Sequence, residues 1–139
     1  MPALITHHLF GEEAVQRIPH EITADSLEYT AFILGNQGPD PLFFRFRGLG
    51  APIAHELGQR MHASRMSAAF GALRDGVSRL PRADAGIGRA FALGLLAHYA
   101  LDRTAHPFVY QQQWGIMDAD RSLADCGSEV HAVIETDID

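Results

Sequence analysis

HYALDRTAHP, residues 98–107, places three polar side chains at intervals of four within a run rich in alanine and leucine. On an α-helix, His98, Asp102 and His106 would share one face, drifting by about 40° per step at 3.6 residues per turn. Buried polar groups are stable only when they are hydrogen-bonded or bound to a ligand. Since imidazole and carboxylate both bind metal ions, the stretch predicts a core helix with a ligand-bearing face.

The hydrophobic pattern along the chain predicts an all-α fold, a single-domain helical bundle over residues 1–139 with a metal cluster between its helices. Helices are expected at 9–18, 24–35, 52–79 (with a bend near Gly58), 83–105 and 119–138. Pro107 is expected to end the fourth helix, because proline lacks a backbone donor and clashes with the preceding turn. No alternating pattern exceeds four residues, so no sheet is expected.

The composition fits one globular domain, with 139 residues, 47% of them hydrophobic and 20% charged. The net charge of -6 disfavours duplex nucleic acid as a partner, because its phosphates attract basic surfaces. No apolar run reaches the ~18 residues of a membrane span, and the N-terminus lacks the pattern of a secretory leader. We therefore expect a cytoplasmic protein. Its oligomeric state is left open.

A second ligand pair, His131 and Glu135, has the same one-turn spacing near the end of the chain. Neutral imidazole and carboxylate oxygen suit zinc, with manganese or iron as alternatives. The candidates outnumber the four ligands of one tetrahedral zinc, so one to three ions are expected. Clusters of two or more metal ions commonly activate water and stabilise the displaced oxygen in phosphate ester hydrolysis.

Six short motifs follow one another along the chain, and it is their combination that is specific. They are Thr6-His7-His8-Leu9-Phe10-Gly11, Leu34-Gly35-Asn36-Gln37-Gly38-Pro39-Asp40-Pro41, Met61-His62, His98-Tyr99-Ala100-Leu101-Asp102, His106-Pro107 and His131-Ala132-Val133-Ile134-Glu135. In this order they resemble the bacterial zinc-dependent phospholipase C family, whose superfamily includes single-strand-specific nucleases. The resemblance covers nearly the whole chain.

The resemblance implies three groups of metal ligands. One zinc ion would be bound by His62, His98 and Asp102, and a second by His106, His131 and Glu135. A third would be shared between Asp102 and His7.

The resemblance also implies the chemistry, which is the hydrolysis of a small-molecule or phospholipid-headgroup phosphodiester. Asp40 would be the catalytic base that orients a metal-bound water for attack on phosphorus. Without the resemblance, Asp40 reads equally well as a helix cap.

The chain departs from the family pattern at three places. In secreted members the N-terminal amine is itself a ligand, whereas six residues precede His7. The second-zinc histidine lies six residues after the aspartate in those enzymes, but His106 lies four after Asp102. The chain ends four residues after Glu135, so we expect either a packed terminal helix or a natural sequence that continues beyond Asp139.

Two other functions fit parts of the sequence. A non-catalytic helical metal-binding or partner-binding domain would keep the ligands but close the coordination sites. A nuclease would need basic and aromatic groups beside the cluster. Candidates for that role are Arg45, Arg47 and Arg103, with Phe43, Phe44 and Phe46.

Overall fold

The computed structural model describes residues 4–45, 47–63 and 66–138. These residues form six α-helices: α1 (Leu4–Val15), α2 (Ser26–Asn36), α3 (Ala51–Ala63), α4 (Met66–Ser78), α5 (Ala85–Ala119) and α6 (Gly127–Ile138). Short 3-10 turns occupy His20–Ile22, Asp40–Phe44 and Arg121–Leu123. The described part of the chain contains no strand, which confirms the all-α prediction.

The central helix α5 is longer than predicted and packs against α1, α2, α4 and α6. The prediction that Pro107 ends it is wrong, because α5 continues through Pro107 to Ala119. Proline leaves one helical carbonyl without its donor, but the residues beyond it bury apolar surface. Val109 is only 2% exposed and packs with Val130 and Ile134 of α6. Tertiary packing thus overrides the local signal for a helix end.

Other helix boundaries also differ from the predictions. The first helix begins at Leu4 rather than residue 9, and the segment expected as one helix over 52–79 forms α3 and α4. Gly58 lies inside α3, and the junction at 64–65 lies outside the described residues. The last helix begins at Gly127, after a 3-10 turn. No described helix combines the length and apolar character that crossing a bilayer requires.

Close contact between α2 and α5 depends on two glycines. A Cβ atom on Gly35 would collide with the carbonyl of Phe91, and one on Gly94 would collide with the carbonyl of Phe32. The backbones therefore approach more closely than larger residues would allow. This contact brings the loop after α2 next to the ligand-bearing turns of α5.

Candidate metal centre

Three groups of ligand side chains meet where α1, α3, α5, α6 and the turn after α2 converge. They are His7, Asp40 and His98; His62, His98 and Asp102; and His106, His131 and Glu135. In each group the candidate ligand atoms lie within 4.8 Å of one another. The structure therefore brings together every candidate site residue predicted from the sequence.

The group on α5 is organised by the one-turn spacing of His98 and Asp102. Nε2 of His98 lies 3.3 Å from Oδ2 of Asp102. His62, near the end of α3, brings its Nε2 to 3.7 Å from the same oxygen. His98 and Asp102 are buried, whereas His62 is partly exposed. One edge of this group therefore faces solvent.

Backbone carbonyls fix how two of these imidazoles point. Nδ1 of His98 lies 3.3 Å from the carbonyl oxygen of Asn36, and Nδ1 of His62 lies 2.8 Å from that of Gly58. A carbonyl can only accept, so in the neutral ring Nδ1 carries the proton and Nε2 keeps its lone pair. Metal-binding histidines are commonly oriented in this way by a partner outside the coordination sphere. Both Nε2 atoms are therefore ready to bind an ion.

His7 is fully buried and contacts both His98 and Asp102 of this group. Its ring stacks on His98 with 4.1 Å between centroids, and its Nε2 lies 3.3 Å from Oδ1 of Asp102. Asn36 donates its side-chain amide to the carbonyl of His7 and so links α2 to α1. A Cβ on Gly11 would meet the Asn36 amide, so the small residue makes room for this link.

Asp40 is also fully buried, at the start of a 3-10 turn. Pro39 is helical in backbone conformation, and the N–H of Leu42 donates to its carbonyl at 2.9 Å. The chain reverses at Gly38, whose φ of 58° is left-handed. Oδ1 of Asp40 lies 3.0 Å from Nε2 of His62.

Several buried polar atoms around these ligands have no hydrogen bond. Among them are Nε2 of His7, Nε2 of His98, Oδ2 of Asp40 and Oδ1 of Asp102. Leaving a buried polar group unpaired costs about 1–3 kcal/mol. These atoms are lone-pair donors that converge on one another, and such a set is stabilised by a cation at its centre. The residues present therefore fit a bound metal.

The second group links α5 to α6. Nε2 of His131 lies 2.9 Å from Oε1 of Glu135, one turn along α6, and Nε2 of His106 lies 3.3 Å from the same oxygen. Nδ1 of His131 lies 2.9 Å from the side-chain oxygen of Gln113, which fixes the ring as a carbonyl does for His98. Sequence reasoning missed Gln113, because a glutamine on an exposed helical turn carries no local signal of this contact.

The pKa values of the ligands respond to their neighbours. Burial lowers the pKa of His62, but Asp40, the Gly58 carbonyl and the charge of Asp102 together outweigh burial and hold the pKa above its ordinary value. The pKa of His106 is raised, chiefly by Glu135. Burial acts to raise the pKa of Asp102, yet the imidazoles of His7 and His98 keep it well below the usual range. Burial lowers the pKa of His131.

A cleft of about 380 Å³ is bordered by the group of His62, His98 and Asp102 and by His106 of the second group. His62, His98, Asp102 and His106 lie in its wall, so ions held there would be reachable from solvent. The rest of the wall is mostly apolar or aromatic: Pro39, Phe43, Met61, Met66, Leu95, Tyr99, Arg103 and Tyr110. Of the nuclease candidates, Phe43 and Arg103 line this cleft, while Phe46 lies outside the described residues.

A family model described as zinc dependent phospholipase C matches residues 6–138 of the chain. The chain therefore belongs to the zinc-dependent phospholipase C family. No curated protein and no solved structure matches it. Zinc dependence in the family agrees with the three ligand groups seen in the structure.

Proposed function

We propose that this member of the zinc-dependent phospholipase C family is a hydrolase that cleaves the phosphodiester bond of a phospholipid or of a related small molecule. The observation that carries the proposal is the shared cleft. His62 from α3 and His98, Asp102 and His106 from α5 line one open cavity of about 380 Å³. This volume falls within the range of small-molecule sites, roughly 300–1,000 Å³.

Two zinc positions are proposed; the buried side chains of His7 and Asp40 are not assigned to either of them. His62, His98 and Asp102 would hold one ion, and His106, His131 and Glu135 would hold the other. Zinc bound there would polarise a phosphoryl oxygen and lower the pKa of a coordinated water toward ~7.

Asp40 is proposed as the catalytic base. Its neighbours Pro39 and His62 line the cleft, while the carboxylate itself is fully buried, with Oδ1 at 3.0 Å from Nε2 of His62. From this position it would accept a hydrogen bond from the attacking water and take the water's proton. A buried carboxylate also orients water strongly, since few other hydrogen-bond partners compete with it.

Arg103 is the residue proposed to receive the substrate's phosphate. Apart from the histidines, Arg103 is the described side chain with a positive charge that lines the cleft. Guanidinium groups bind phosphate oxygens with paired hydrogen bonds. Arg103 and Asp102 line the same cleft, so a phosphate at the metal centre would be within reach of the guanidinium.

The open cleft favours catalysis over a non-catalytic metal-binding domain, because structural zinc sites are closed by protein ligands. The test is product analysis with zinc-loaded protein, phosphatidylcholine and water enriched in oxygen-18. Cleavage of the phospholipase C type releases diacylglycerol and puts the heavy oxygen into phosphocholine. Release of phosphatidic acid, or no product, would contradict the proposal.

A further inference from the structure

One face of α5 lines two neighbouring cavities. Its residues, spaced alternately by four and three, are Ala85, Arg89, Ala92, Leu96, Tyr99, Arg103, His106 and Tyr110. Such spacing places side chains in a single stripe along a helix. The first four border a cavity of about 690 Å³, and the last four border the metal-centre cleft.

Helix α4 supplies the facing wall of both cavities. Met66 borders the metal-centre cleft, while Phe70, Leu73 and Val77 border the larger cavity, again at spacings of four and three. Phe70 contacts Tyr99 edge to face at 5.8 Å between centroids, where the two cavities meet. The cavities are thus two stretches of one α4–α5 groove, defined by the α5 stripe and these α4 residues.

The groove changes character along its length. The end at residues 98–106 of α5 carries the metal ligands, whereas the end at 85–96 is mostly apolar. Ala92 and Asp102 are ten residues apart, which is about 15 Å along the helix axis. Helix α4 has no buried residue, so it covers this part of α5 only loosely. Large exposed apolar grooves are commonly binding sites.

We infer that the apolar end of the α4–α5 groove binds one acyl chain of a phospholipid whose phosphodiester lies at the metal centre. This inference rests on the proposed function, because the metal centre fixes the polar end of the substrate. The order of groups along the groove matches that of a phospholipid, with phosphate at one end and hydrocarbon beyond it. Arg74 and Arg89 also border this end; both are exposed, and the Arg74 guanidinium donates to the Asp75 carboxylate.

Two variants and one control test the groove in the zinc-loaded full chain. Ala92→Phe fills the groove, and Leu96→Gln places a polar group at a position that is already 46% exposed, so folding should be preserved. Ala100→Phe is the control, since Ala100 is exposed on the same helix and lines neither cavity. The substrates are dipalmitoyl and dihexanoyl phosphatidylcholine in mixed micelles, and bis(p-nitrophenyl) phosphate, which has no acyl chain.

Both groove variants should lower kcat/KM for the dipalmitoyl lipid by about tenfold, the effect of losing roughly two buried methylene groups. The dihexanoyl lipid should lose less, and bis(p-nitrophenyl) phosphate should be hydrolysed at the rate of the control. Unchanged preference for the longer chain in both variants would overturn the inference.

Photo-crosslinking with phosphatidylcholine that carries a diazirine near the end of one acyl chain provides a readout independent of activity. Labelled peptides should come from α4 or from residues 85–96, and unlabelled dipalmitoyl lipid should compete. Labelling confined to another surface, or a groove buried between two copies of the chain, would overturn the inference. If no phosphodiester is cleaved but the groove is labelled, the proposed function fails while the acyl site stands.

Discussion

Nε2 of His106 on α5 lies 3.3 Å from Oε1 of Glu135 on α6, and His131 approaches the same oxygen at 2.9 Å. Two imidazoles thus share one carboxylate oxygen that is almost fully buried. The contact joins the last helix to the central one beside the apolar cluster of Val109, Val130 and Ile134. The second ligand group is therefore built on the packed interface between α5 and α6.

Glu135→Gln should remove one zinc equivalent, because an amide lacks the charge that attracts the ion and has one oxygen in place of two. Glu129→Gln is the matched control, since Glu129 is exposed on the same helix. Elemental analysis after zinc reconstitution measures the ratio of metal to protein. If the Glu135 variant binds as much zinc as the control, the second ligand group is misassigned.

Gly38→Ala should displace His98 and weaken zinc binding. Its φ of 58° is unfavourable for alanine, and the added Cβ would collide with the His98 ring. Gly48→Ala isolates the collision, because Gly48 also has a positive φ of 92° but nothing lies within 4 Å of its Cβ. Backbone strain alone costs on the order of 1–3 kcal/mol. Zinc affinity from competition with a chelator should fall only for Gly38→Ala; equal losses in both variants would contradict the geometry.

Asp40→Asn should lower phosphodiester turnover by about 10²–10⁴, the contribution of a general base. The variant should keep its zinc content, and Asp118→Asn, at an exposed position of α5, should behave as wild type. Steady-state rates and elemental analysis are measured on the same samples. If Asp40→Asn loses one zinc equivalent together with its activity, Asp40 is a metal ligand rather than the catalytic base.

Zinc binding should release protons near pH 6.5, because the raised pKa values of His62 and His106 favour their protonated forms in the metal-free protein. Zinc affinity should therefore fall as the pH falls. The same raised pKa values stabilise the metal-free fold below their unfolded pKa of ~6.5, and that contribution is lost as the pH rises through the folded pKa. As the pH rises, zinc affinity should increase, while the contribution of these histidines to the stability of the metal-free fold should decrease.

Calorimetric zinc titrations in buffers of different ionisation enthalpy measure the number of protons released. His62→Ala should reduce that number, whereas His20→Ala, at an exposed position, should leave it unchanged. A proton count that does not differ between these two variants would contradict the role of His62.

His7, Asp40 and His62 were predicted only from the family resemblance. His98 with Asp102, and His131 with Glu135, could be predicted from the residues themselves, because each pair lies one helical turn apart. The helical fold was predictable for the same reason. The course of α5 through Pro107 was not, since it depends on packing against α6 that no local pattern encodes.

The supporting contacts were equally beyond sequence reasoning. Asn36 reaches His7 across 29 positions of the chain and offers its carbonyl to His98 across 62. Contacts between residues so far apart in the sequence depend on the close approach of α1, α2 and α5. The sequence shows only the small residues that permit this approach.

The central claim is that metal bound at these ligand groups drives phosphodiester hydrolysis. The most direct measurement is the rate of bis(p-nitrophenyl) phosphate hydrolysis as chelated, zinc-free protein is titrated with zinc. We expect no turnover before zinc is added, and a rate that rises with added zinc and levels off when the ligand groups are filled. Turnover without zinc, or full zinc occupancy without turnover, would contradict it.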